Sequence, residues 1–95
     1  MQDNKTPDSA EPVRWTVERR IFRLDQLHEE ERALKRREQQ LSKQLQESRA
    51  RKVYDHRVMM EKYDVEQCIM FTRERILQAQ ELYMNTLRSI EKQRL

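Results

Sequence analysis

The sequence predicts an all-α chain: one long coiled-coil helix or, as the alternative, an α-helical hairpin bent near residues 48–56. Three observations lead there. None of the 95 residues is glycine, and neither of the two prolines lies beyond Pro12, so the chain lacks its two strongest structure breakers. Leu24, Leu27, Leu34, Leu41 and Leu45 recur with the period of about 3.5 residues that supercoiling helices require. Charged residues make up 39% of the chain and hydrophobic ones 36%, below the roughly 45–50% of globular domains. So short and polar a chain encloses little core by itself, and oligomerisation or docking is the expected remedy.

Residues 1–12 are polar, hold both prolines and carry three acids against one base. They read as a disordered leader. Pro12 suits a first helical turn, where its missing N–H is not needed. Val13, Trp15 and Val17 form a candidate docking anchor. Their period of two also fits an extended stretch lying against a partner.

Residues 13–47 form a basic helical segment. With Val17, Leu24, Glu31, Glu38 and Leu45 at one seam position and Leu27, Leu34, Leu41 and Ser48 at the other, a heptad grid fits. Glu31 and Lys35, four apart, support the helix by a few tenths of a kcal/mol. Charge is concentrated here: residues 13–52 hold twelve Lys/Arg against seven Asp/Glu. Such density raises the alternative of RNA or DNA binding, with Arg19, Arg20, Lys35, Arg36 and Arg37 as candidate phosphate contacts. Interleaved acids, and bases spread all around the helix, favour a solvated coil face instead.

Residues 48–57 interrupt the seam. The grid runs through Ser48, Asp55 and Lys62 before apolar residues resume at Ile69 in the same register. Nearly equal arms and a polar midpoint favour a bend there, with Ser48 or Asp55 as a helix cap. The absence of Gly, Pro and Asn favours continuity.

Residues 58–95 read as an apolar-rich segment for oligomerisation or partner binding. Two lanes emerge: Val58, Val65, Ile69, Ile76, Tyr83, Leu87 and Ile90, then Met59, Tyr63, Met70, Leu77 and Met84. A helix with two apolar lanes wants two neighbours. Met70, Leu77 and Met84 therefore join the first lane and the leucines as candidate interface residues. A 53–95 fragment is expected to associate, and a 1–52 fragment to stay mostly single.

Enzyme chemistry needs groups that converge from different elements, and no such motif, cofactor fingerprint or metal-ligand spacing is present. His28 and His56 lack companions at ligand spacing. The longest apolar run, Cys68–Phe71, is far below the roughly 20 residues of a membrane span, and no segment resembles a signal peptide. A lone cysteine, Cys68, points to the cytosol or nucleus. The expected function is non-catalytic: self-association and binding to another helical protein, as a structural subunit, adaptor or small viral accessory protein, with no cofactor or small-molecule substrate.

Overall fold

The computed structural model describes residues 10–94 as two antiparallel helices, α1 (Ala10–Ala50) and α2 (His56–Arg94). The chain is thus all-α. Of the two expected arrangements it takes the hairpin, not the single straight rod. Of the leader expected over 1–12, residues 1–9 lie outside the described residues, while the backbone from Ala10 is already helical. The extended alternative for residues 13–17 is not adopted, because α1 runs through them. At about 1.5 Å per residue each arm is roughly 60 Å long.

A Schellman turn makes the bend without glycine. The Val53 N–H donates to the Ser48 carbonyl at 2.8 Å and the Lys52 N–H to the Arg49 carbonyl at 2.9 Å, the 6→1 and 5→2 bonds that close a helix end. Lys52 takes the left-handed position, at φ 59°, that glycine usually fills. Asp55 then caps α2. Its Oδ1 accepts from the Val58 N–H at 3.2 Å, and its carbonyl accepts the first intrahelical bond from Met59 at 3.1 Å. Ser48, the other expected cap, instead lends its carbonyl to closing α1.

The heptad grid sets the packing. Leu27 meets Ile76 and Ala79, with Leu24 beside them, toward the open end of the hairpin. Leu41 and Leu45 meet Val58, flanked by Val65, near the turn. Leu27 and Leu41 are 1% and 0% exposed, a burial worth roughly 1.5–3 kcal/mol each. On α2 the inward residues are spaced three and four apart, through Val58, Lys62, Val65, Ile69, Thr72, Ile76, Ala79 and Tyr83. Thr72 and Ala79 are buried on this seam although neither carries a strong hydrophobic signal. Their small side chains let the helices approach.

Candidate association surface

One apolar lane of α2 is used by the hairpin and the other is left over. Of the fifteen expected interface residues, twelve lie along the seam within one chain. Leu27, Leu41, Leu45, Val58, Ile69 and Ile76 are buried there, and Leu24, Leu34, Val65, Tyr83, Leu87 and Ile90 are half-buried. Met70, Leu77 and Met84 face outward with Tyr63, at 62%, 65%, 45% and 56% exposure. Residues 63, 70, 77 and 84 are seven apart, so they stand one above another along α2 and are turned about 130° from the seam. Met59 and Met60 extend the lane toward the turn and are also exposed. Unbranched methionine side chains adapt to the surface they meet.

The lane has a charged margin on each side. Glu66, Arg73 and Gln80 follow one edge; Gln67, Glu74 and Glu81 follow the other. Arg73 ties the first edge to α1. Its Nε donates to Glu31 Oε2 at 2.8 Å, and Lys35 Nζ stands 3.7 Å from the same oxygen. The Arg73 hydrogen bond holds the Glu31 carboxyl below its ordinary value of 4.5, against the smaller opposing effect of burial. On the far side of the hairpin Arg37 bridges to Glu61, its Nε donating at 2.9 Å. These two pairs tie α1 to α2 on opposite sides of the seam.

A shallow apolar groove runs along that far side, lined by Ala33, Leu34, Cys68, Phe71 and Thr72 between Glu30 and Arg75. Cys68, in its lining, is exposed.

The expected docking anchor is only partly a surface. Trp15 is 59% exposed and Phe22, one heptad on, is 64% exposed; both stand on the side of α1 turned away from α2. Val17 is half-buried toward the seam, and the Val13 side chain lies outside the described residues. Trp15 carries the Arg19 guanidinium 4.6 Å above its ring, a cation–π contact.

Most of the five candidate phosphate-binding bases are engaged within the chain. Lys35 pairs with Glu31, Arg36 with Glu29 at 3.8 Å, and Arg37 with Glu61. Arg19 lies on Trp15, and Arg20 turns its Nε inward, buried without a hydrogen-bond partner. Glu29 is held below its ordinary value chiefly by its hydrogen bond with Arg32, at 2.6 Å.

Among the described residues no group of three or more His, Cys, Asp or Glu is placed to hold a metal ion, and no helix is long and apolar enough to cross a membrane. Comparison with protein-family models, with curated proteins and with solved structures finds no match for this chain.

Proposed function

We propose that this protein is a non-catalytic helical hairpin that acts by association, through the outward lane of α2. The observation that carries this reading is the heptad spacing of Tyr63, Met70, Leu77 and Met84, all uncovered. A random scatter of surface hydrophobes needs no explanation, but a continuous lane is a contact surface. The thin core argues the same way. Eight side chains are buried among the described residues, while thirteen large hydrophobics are exposed. The lone Cys68 suits a reducing compartment, cytosol or nucleus.

Sedimentation velocity on the purified chain and on a Met70→Glu/Leu77→Glu variant tests this. The wild type is expected above the 11.8 kDa of one chain. The variant is expected to fall to one chain with its helical circular dichroism intact, because neither residue touches the seam. An assembly that survives both substitutions rejects the lane as the contact.

Nucleic-acid binding through Arg19, Arg20, Lys35, Arg36 and Arg37 is the less supported alternative, since intramolecular carboxylates already neutralise much of that charge. Retention on heparin that falls steeply with salt would favour it.

A further inference from the structure

We propose that the occupant of the α2 lane is a second copy of this chain, with the two α2 helices lying parallel and in register. This rests on the association reading above and adds the partner and its orientation.

The lane matches itself. Tyr63, Met70, Leu77 and Met84 repeat every seven residues, so an identical helix alongside sets four apolar contacts against four. Flanking charge then selects the direction. In a parallel pair the two-fold axis runs along the helices, and the Arg73 edge of one copy meets the Glu74 edge of the other. Arg73 then faces the other copy's Glu74, twice by symmetry. Glu66 faces Gln67 and Gln80 faces Glu81, so no like charges meet.

An antiparallel pair keeps the same four contacts only with its two-fold axis between residues 73 and 74. That axis sets like edges together, so Arg73 meets Arg73 and Glu74 meets Glu74. Like-charge juxtaposition of this kind disfavours a wrong arrangement. Arg73 keeps donors for this contact, because its bond to Glu31 of α1 uses one of the five guanidinium N–H groups.

The area suffices. Met59, Tyr63, Met70, Leu77 and Met84 are 42%, 56%, 62%, 65% and 45% exposed, so at roughly 200 Å² for a large side chain two copies bring at most about 1,000 Å², to which the flanking stems add. That reaches the lower bound of about 1,000 Å² for a specific interface.

The test uses the full chain with Cys68→Ala, carrying Met70→Cys or Leu77→Cys. Both sites are exposed, and circular dichroism verifies the fold. Light scattering should give twice 11.8 kDa. On mild oxidation each variant should crosslink to itself, and a mixture of the two should give little mixed 70–77 product. Without the cysteine changes, Glu74→Gln should weaken the dimer several-fold at low salt, because it removes the Arg73 contact; an antiparallel pair would tighten instead. Mixed 70–77 product alone, tightening by Glu74→Gln, or a mass above two chains overturns the parallel dimer and leaves association through the lane standing. A single-chain mass, or a dimer that crosslinks at neither site, overturns both.

Discussion

Lys52 sits where glycine would be expected. Its φ of 59° brings a Cβ toward the following carbonyl oxygen, which costs an L-residue roughly 1–2 kcal/mol. What holds it there is the pair of turn bonds to Ser48 and Arg49, followed at once by the Asp55 cap of α2. The residue is exposed, so its side chain adds no packing that would be lost on replacement. Lys52→Gly is therefore expected to stabilise the chain by about 1 kcal/mol, offset in part by glycine's greater freedom when unfolded. Urea unfolding reads this as a higher midpoint with an unchanged slope. A fall of similar size would mean that the left-handed position is not what limits the turn. No such feature is visible in the letters K and V, and this is why the bend was the harder half of the fold to read.

At the scale of the elements, the seam of α1 was legible because leucine carried it. Leu27, Leu41 and Leu45 are buried on the heptad positions that the spacing assigns. On α2 the first lane was legible from Val58, Val65, Ile69 and Ile76, but Thr72 and Ala79 were not, since their contribution is small volume rather than hydrophobicity. Which of two apolar lanes would meet α1 was also out of reach, because periodicity gives the angle between lanes and not the identity of the neighbour. Charge across the seam supplies part of that choice. Glu31, only 17% exposed at its side chain, meets Arg73 of α2 and Lys35 of its own helix. Its carboxyl is held below 4.5 in the folded chain, first by the Arg73 bond. A carboxyl lowered by folding stabilises the fold fully above its unfolded value and loses that contribution as pH falls through the folded one. Stability from this contact should thus be fully present above the ordinary value of 4.5 and be lost as pH falls below it. Thermal unfolding between pH 3 and 7 checks it, with Glu31→Gln as the comparison: the variant should lose part of the acid-side slope and have a lower midpoint at neutral pH. An unchanged slope would place the acid sensitivity on the other carboxylates.

For the whole molecule, the hairpin divides the apolar surface unequally. In the intact chain α1 covers one lane of α2 and leaves the other uncovered, whereas among the described residues of α1 the leucines lie inward and Trp15, Ile21 and Phe22 are the large exposed hydrophobics. Separating the arms at the turn would uncover the seam on both. A 53–95 fragment then has two open lanes, Ile69 and Ile76 on one and Met70 and Leu77 on the other. A two-laned helix buries both only by taking two neighbours, so this fragment is expected to assemble beyond two chains. A 1–52 fragment keeps one narrow leucine stripe interrupted by Glu31 and Glu38, which would face their own copies in a parallel pair, so it should be mostly single and less helical. Mixing the two fragments restores the Glu31–Arg73 and Arg37–Glu61 pairs and should give equimolar complexes smaller than the 53–95 assembly, with helicity above the sum of the parts. Sedimentation and circular dichroism before and after mixing measure both quantities. If the mixture simply adds, the arms do not recognise each other without the turn, and the Lys52–Asp55 connection rather than the seam determines the hairpin.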